Sequence, residues 1–316
     1  MSRFCAPVLR MVVLLCVARA ALADLSLVGD KLVIDATVWA NGHVWRAQEA
    51  GLSHNEFGIE RVAAPIGLTG RLGQVASLRL SGDVSTASAM DLYADFRWAN
   101  GFFLRPGQFL LPLGFEALAD PREQHLVNSS LLAGYAAPAG NRDIGVMAGF
   151  ENRILSIAGA VINGAGANNV DYDQRKDVCA RVVLKPLSTE DGAFALRAYY
   201  RGPDASDTAW RTFAAETRLG HGPLELQAEF QNRYSSDVRN NAAYLQVVWN
   251  VPHVEPAARF DLVLPQGGHP DWMITGGVNV RPVTNHVKIM LNGTYRRNYQ
   301  AGWSVFGFLF RVQAGI

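Results

Sequence analysis

The sequence lacks the features that define most soluble enzymes and most helical membrane proteins. After the first two dozen residues it contains no apolar run of the roughly 20 residues that a transmembrane helix needs, no heptad repeat and no low-complexity tract. Of its three cysteines, Cys5 and Cys16 lie within a predicted leader, which leaves Cys179 alone in the mature chain. A disulfide framework within that chain is therefore excluded.

Catalytic and metal-binding motifs are also absent. The seven histidines show no metal-ligand spacing, and no H-E-x-x-H, paired-cysteine or G-x-S-x-G motif occurs. The glycine-rich stretch 163–169 lacks a following Gly-Lys-Ser or Gly-Lys-Thr, so we expect an outer loop there. The sequence thus predicts no enzyme, no cofactor and no metal ion. Hydrolysis by rim histidines stays open as an alternative, with His43, His54, His125 and His269 in predicted outer loops.

The first residues have the pattern of a secretory signal peptide. Arg3 and Arg10 precede an apolar segment over 11–18, and small residues lead up to Ala23. We predict a cleaved signal peptide over 1–23 and one domain over 24–316. Without the three arginines of the leader, 26 basic residues face 28 acidic ones. This balance gives no indication of a nucleic-acid partner.

What the sequence does contain is apolar residues at every second position, segment after segment. The side chains of 90–98 alternate between an apolar set and a set that holds every charge of the stretch, and 224–231 and 287–296 follow the same pattern. Such alternation is typical of strands that separate an apolar from a polar environment. Sixteen strands are predicted, with centres near residues 36, 62, 79, 94, 106, 146, 158, 181, 197, 214, 228, 245, 260, 276, 291 and 309.

The predicted connections differ in length between the two ends of these strands. Tight turns follow the even strands, at 70–72, 99–100, 151–153, 220–221 and 282–284. Connections after odd strands are mostly longer: some fifteen residues after Trp39, the long segment 111–141, and 163–176. Short turns at one end and long loops at the other predict an all-β fold, a transmembrane antiparallel β-barrel with both termini on the periplasmic side.

Two motifs resemble the phosphate-selective porins O and P, a family of bacterial outer-membrane porins. The first runs from Leu104 to Glu116 and contains Gly-Gln-Phe and Pro-x-Gly, and the second is Arg-Asp-Ile-Gly-Val at 142–146. The alternating aromatics up to Ile316 resemble the assembly signal of outer-membrane proteins, although phenylalanine usually ends it. The resemblance implies a sixteen-stranded porin, usually a trimer, whose third loop folds inward and narrows the pore. A short helix is expected near 122–132.

The resemblance also implies that lysines and arginines on the wall and the inward loop attract anions. Alternation places a modest excess of cations on the lumen side, a pattern that favours anions. The candidates for contact with a permeating anion are Arg122, Arg79, Arg97, Arg142, Arg197 and Lys288. The face of Arg105 stays undecided. We expect Arg97 to pair with Asp95, and Glu116 to pair with Arg142 across the ends of the third loop.

The predicted function is therefore passive diffusion of small anionic solutes, such as phosphate, through an outer-membrane porin. Its predicted partners are outer-membrane lipid, solutes in transit and two further copies in a homotrimer. Three alternatives stay open beside it. They are a non-conducting barrel that acts as an adhesin or scaffold, a secreted soluble β-sandwich, and the rim-site hydrolase.

Overall fold

The fold is described from a computed structural model. It describes residues 31–49, 52–136, 141–172, 175–186, 192–203, 209–235, 238–282 and 286–315. The predicted signal peptide, 1–23, lies outside the described residues, as does much of the predicted turn at 282–284.

One antiparallel sheet contains all seventeen strand segments, and successive segments pair with each other except the second and third, which both pair with the first. In chain order they are β1 (Leu32–Glu49), β2 (Leu52–Ala63), β3 (Pro65–Leu72), β4 (Ala76–Asp83), β5 (Ser88–Arg97), β6 (Phe102–Leu110), β7 (Arg142–Glu151), β8 (Leu155–Ile162), β9 (Asp177–Leu184), β10 (Ala193–Arg201), β11 (Trp210–His221), β12 (Leu224–Ser235), β13 (Val238–Trp249), β14 (Val254–Pro265), β15 (Asp271–Val280), β16 (Val287–Asn298) and β17 (Trp303–Gly315). Since β2 and β3 both pair with β1 and are separated only by Ala64, they form one barrel strand. The barrel thus has sixteen strands, as predicted.

The barrel closes where β1 pairs with β17, from Thr37 opposite Gly315 to Glu49 opposite Trp303. Along the strands, side chains alternate between a buried set and an exposed set. The exposed set is apolar, with Leu196 and Phe213 66% and 58% exposed, whereas the buried set is rich in charged and amide side chains. An exposed apolar belt around a polar interior suits a barrel surrounded by lipid.

All sixteen predicted strand centres fall within strands, but the sorting of connections is less regular than expected. The segment after Trp39 is not a loop, because β1 continues to Glu49 and β2 starts at Leu52. Both strands of this hairpin rise beyond the neighbouring β4–β5 turn, and most of β2 is exposed. His43 and His54 therefore lie on strands and not in loops. Two tight turns are shifted slightly, to 73–75 and 222–223.

The longest connection is the segment 111–141 between β6 and β7, which we call the third loop; the barrel end from which it leaves is the upper end. In the described part of this loop, 111–136 and 141, the helices are α1 (Phe115–Leu118) and α2 (Ala133–Ala136). The predicted helix near 122–132 is wrong, because turns and bends occupy that stretch. Within the described residues, no helix is both long and apolar enough to cross a membrane.

Gly107, in the Gly-Gln-Phe motif, marks a place where the strand geometry requires glycine. Its φ is +128°, and an added Cβ would collide with the backbone of Leu92 and Tyr93 on β5. We expect Gly107→Ala to lower the unfolding free energy by about 2 kcal/mol or more, since strained dihedrals and a backbone clash combine. Urea titration in detergent measures it. Gly276→Ala, where the added Cβ meets open space, is the matched control; equal losses in both variants would contradict the prediction.

Candidate functional site

The third loop runs along the inner wall of the barrel, and its contacts with inward-facing side chains define the candidate site. Its first residues, Leu111 and Leu113, are buried in an apolar cluster with Phe109 and Tyr199. The ring of Phe115 then lies under two wall guanidiniums, with ring centre to Cζ distances of 4.6 Å for Arg181 and 5.8 Å for Arg218. From there the loop crosses to β12–β17.

Glu116 connects the two arms of the loop with the wall. Its carboxylate accepts hydrogen bonds from the backbone N–H of Ser130, at 2.7 Å, and from the Ser130 hydroxyl. Arg259 of β14 lies 3.4 Å from the same carboxylate, and the Glu116 N–H donates to Glu229 of β12 at 3.1 Å. A carboxylate that accepts several such bonds is strongly fixed, so Glu116 holds the loop folded on itself and against β12–β14.

His125 lies between two wall carboxylates. Its Nδ1 is 2.8 Å from Glu255 and its Nε2 is 3.7 Å from Glu225. Burial lowers the pKa of His125, but hydrogen bonds and attraction from the two glutamates outweigh it, so the pKa is raised above its ordinary value. Asn279 also donates to the His125 carbonyl at 2.8 Å. His125 therefore anchors the loop to β12 and β14, and this contact is strongest when its imidazole is protonated.

Backbone groups of the loop bind wall side chains on both sides of His125. Lys288 donates to the Gln124 carbonyl at 2.6 Å, and Arg311 donates to the Val127 carbonyl at 3.0 Å. The Val127 N–H donates to Asn292, and the Leu131 N–H to Asp261. These contacts come from β14, β16 and β17. The loop thereby covers that side of the lumen, whereas the hydrogen bonds described above involve no residue of β3–β6, the part that we call the uncovered wall.

Arginines on this uncovered wall are paired with acids. Arg79 donates to Asp35 Oδ2 at 2.9 Å. Arg105 lies 3.0 Å from Asp95, and its Cζ is 4.4 Å from the centre of the Tyr93 ring. These contacts settle the face of Arg105, since its partners point into the lumen. The loop segment 119–123 lies near this wall, since the charge of Arg79 acts on Asp120.

In that loop segment, Asp120 and Arg122 form a pair exposed to the lumen. Arg122 donates to the Asp120 carboxylate at 2.8 and 3.0 Å. Burial raises the pKa of Asp120, but hydrogen bonds from the Arg122 side chain and backbone outweigh it and hold the pKa below its ordinary value. Arg79 on the uncovered wall also lowers it. Asp120 and Arg122 on the loop and Arg79 on the wall are therefore close enough for their charges to interact.

The two members of these ion pairs differ in depth. The Arg97 side chain is 51% exposed against 9% for Asp95, and Arg296 is 37% exposed against 8% for Asp271. Arg79 and Arg259 are exceptions, at 21% against 31% for Asp35 and 2% against 18% for Glu116. In most pairs the guanidinium is the more exposed group and the carboxylate lies deeper. The surface exposed to the lumen is therefore more cationic than the numbers of basic and acidic wall residues alone indicate.

The structure separates the six candidate residues into two groups. Arg79, Arg97, Arg122 and Arg142 border the lumen, with side chains 21–51% exposed. Arg197 and Lys288 are only 1% and 4% exposed. Arg197 lies between Glu216 and Glu229 of the wall, and Lys288 lies under the loop.

Two predicted ion pairs have different outcomes. Arg97 pairs with Asp95 at 2.7 Å, as predicted. The predicted pair of Glu116 with Arg142 is wrong, because Arg142 binds Asp91 of β5 at 2.8 Å while Glu116 binds Ser130 and Arg259.

Sequence reasoning missed the side chains that hold the loop, including Arg259 and Arg311. The alternation in their strands predicts only that these side chains point into the lumen. No local sequence signal shows which atoms of the loop they bind. Within the described residues no cluster of three or more metal-ligating side chains occurs.

The geometry defines a closed, sixteen-stranded antiparallel barrel with a loop folded along its inner wall. Bacterial outer-membrane porins share this architecture. The anion-selective porin from Comamonas acidovorans matches with a TM-score of 0.68 and 12% identity, over 90% of this chain and 100% of that one. OmpT of Vibrio cholerae matches with a TM-score of 0.65 and 9% identity, over 92% and 99%.

Salmonella typhi OmpF, solved in complex with daunomycin, matches with a TM-score of 0.61 and 13% identity, over 90% of this chain and 99% of that chain. At such identities the likeness concerns the fold alone. No protein-family model matches the sequence, and no curated protein sequence matches it either.

The role of Glu116 leads to a test of how the loop is held. We expect Glu116→Ala to lower the free energy of releasing the loop by about 2 kcal/mol, because charged hydrogen bonds are lost and Arg259 loses one partner. Native tryptic cleavage after Arg122 then becomes about 30-fold faster. Glu49→Ala, an exposed carboxylate at the upper end of β1, is the control. Equal cleavage rates in the two variants would contradict the role of Glu116.

The raised pKa of His125 gives a pH dependence with a definite sign. Its protonation stabilises the folded state fully below the ordinary histidine pKa, about 6.5, and this stabilisation disappears as the pH rises through the raised value. We therefore expect His125→Gln to cost about 1–2 kcal/mol at pH 5.5 and progressively less above neutrality. Urea unfolding at several pH values measures it, with exposed His221→Gln as control. A cost that grows with pH would exclude this role.

Proposed function

We propose that this protein is an outer-membrane porin, a water-filled channel for passive diffusion of small solutes with a modest preference for anions. The observation that supports the preference is the exposure of wall ion pairs such as Arg97–Asp95 and Arg296–Asp271, in which the guanidinium is more exposed than its carboxylate. Fixed charge close to the path of an ion in a narrow passage biases the local ion concentration. The apolar outer belt supports the membrane location, and a channel is proposed in place of an enzyme.

Selection of phosphate alone is not part of the proposal. A phosphate-specific path requires cations with donors free to bind a multiply charged ion, yet Arg79, Arg97 and Arg142 each have a carboxylate partner. A paired guanidinium keeps some of its five donors, so it attracts anions without binding one tightly. We place a narrow passage between Arg79 and Arg122 and propose that these two residues contact a solute.

We also propose a homotrimer. Strands β4, β8 and β9 have only eight residues each, which at the usual tilt span about 20 Å, less than an apolar band of about 25 Å. A neighbouring subunit on this side would cover the difference. Light scattering of the detergent-solubilised protein tests the assembly, and a monomer would contradict it.

Planar-bilayer recording tests the function and its residues. We expect ion-conducting channels whose reversal potential in a salt gradient indicates anion preference. Arg79→Gln and Arg122→Gln should each lower the anion-to-cation permeability ratio about four-fold, as one charge roughly 10 Å from the ion contributes about 0.4 kcal/mol in water, with opposite sign for an anion and a cation. Arg153→Gln, at an exposed lower turn, is the charge-matched control.

Two results of this experiment would contradict the proposal at different levels. Protein that inserts without conducting would contradict the channel and favour the adhesin or scaffold. Channels with unchanged selectivity in Arg79→Gln and Arg122→Gln would remove these two residues from the site and leave the channel intact.

A further inference from the structure

The outward face of the barrel carries charge at one end only. Along the described strands, outward side chains are apolar or uncharged polar except for His221 at the lower end and four arginines, and no aspartate or glutamate occurs among them. The arginines are all exposed and all lie near the upper end: Arg46, Arg211, Arg239 and Arg297. The distribution is therefore asymmetric in both sign and position.

Two of these arginines flank one tyrosine. The strand register places Arg211 of β11 opposite Tyr234 of β12, and Tyr234 opposite Arg239 of β13. The guanidinium carbons lie 4.9 Å and 5.2 Å from the centre of the Tyr234 ring. Neither guanidinium forms an ion pair with a carboxylate of the residues that the structure describes. Two positive charges are thus held together on the outer surface without a described counter-charge.

A surface groove of about 660 Å³ adjoins this group and crosses β12–β14, lined by Tyr234, Arg239, Asn241, Leu264, Pro265 and Gln266. Towards the middle of the barrel, Phe213, Phe230 and Leu245 point outward and are 49–58% exposed. A cationic, hydrogen-bonding rim directly above an apolar wall matches a molecule with an anionic head and hydrocarbon chains.

We propose that Arg211, Tyr234 and Arg239 bind the phosphate group of a phosphorylated lipid in the outer leaflet, with its acyl chains on the apolar wall below. Guanidinium groups bind phosphate oxygens with paired, charge-assisted hydrogen bonds, and the phenol adds a donor. The inference rests on the proposed function, since an outer-membrane porin with both termini on the periplasmic side has its upper end in the outer leaflet.

Charge also decides against a second copy of this chain as the occupant. The outward face of such a copy presents no carboxylate from its described strands, so it would bring arginine or apolar surface against Arg211 and Arg239. Uncompensated like charges at an interface are repulsive. A phosphate-bearing lipid supplies the missing negative charge.

Native mass spectrometry of the full mature protein in non-ionic detergent tests the site with dioleoyl phosphatidic acid. Dioleoylglycerol, which has the same chains without phosphate, is the control lipid. We expect the wild type to retain phosphatidic acid under conditions that remove dioleoylglycerol, and Arg211→Gln/Arg239→Gln to weaken that binding at least ten-fold. Arg71→Gln/Arg153→Gln, the same charge change at the lower end, should bind as the wild type does.

Four results would overturn the proposal. They are unchanged binding by the Arg211→Gln/Arg239→Gln variant, equal retention of dioleoylglycerol, displacement of the lipid by a hundred-fold excess of inorganic phosphate, and a change of oligomeric state without a change in lipid binding. The last two would indicate a free-anion site and a subunit interface.

Arg239→Gln alone, with an expected loss of about three-fold, provides a second measurement if the double variant folds poorly. Conductance of the wild type is recorded on the same preparation. A conducting protein without lipid selectivity would refute this inference only, and a lipid-binding protein without conductance would refute the channel only.

Discussion

Ring closure is the constraint on which the rest of this structure depends. In lipid every backbone N–H and C=O must be paired within the protein, so a sheet can cross a membrane only without free edges. Thirteen paired positions between β1 and β17 meet this requirement. Closure forces one face of every strand towards a shared interior, and the polar half of each alternating segment therefore meets the polar halves of the other strands.

Many charged side chains point into that interior and need partners there, and the third loop supplies some of these partners. Charged side chains in a narrow space stabilise the fold only when each has partners. Wall groups such as Lys288, Arg311 and Asp261 bind backbone atoms of the loop. The loop is thus held mainly by its main chain, and few of its own charges are needed. Glu116 and His125 are the charged loop side chains that bind wall residues in these contacts.

Local sequence predicts the positions of the strands well and the partners of the charged side chains poorly. Strand positions follow from period-two alternation, which each segment carries by itself, and so all sixteen centres were predicted. Ion-pair partners depend on register between distant segments: Arg142 binds Asp91, 51 residues away, and Arg311 binds Asn41, 270 residues away. The sequence predicts a loop where the β1–β2 hairpin lies, because polar residues on both faces obscure the alternation where these strands rise above the apolar belt.

Because register decides which side chains pair, the charge that an ion meets in the pore differs from the net charge of the wall residues. If only the net charge of all wall residues mattered, the lumen would select little between anions and cations. An ion in the passage instead responds to the charges nearest to it, because water screens those that lie deeper. Pairs such as Arg97–Asp95 and Arg296–Asp271 keep the acid buried and the guanidinium at the surface. A wall that is nearly neutral overall can therefore prefer anions, and the depth of each pair sets the strength of that preference.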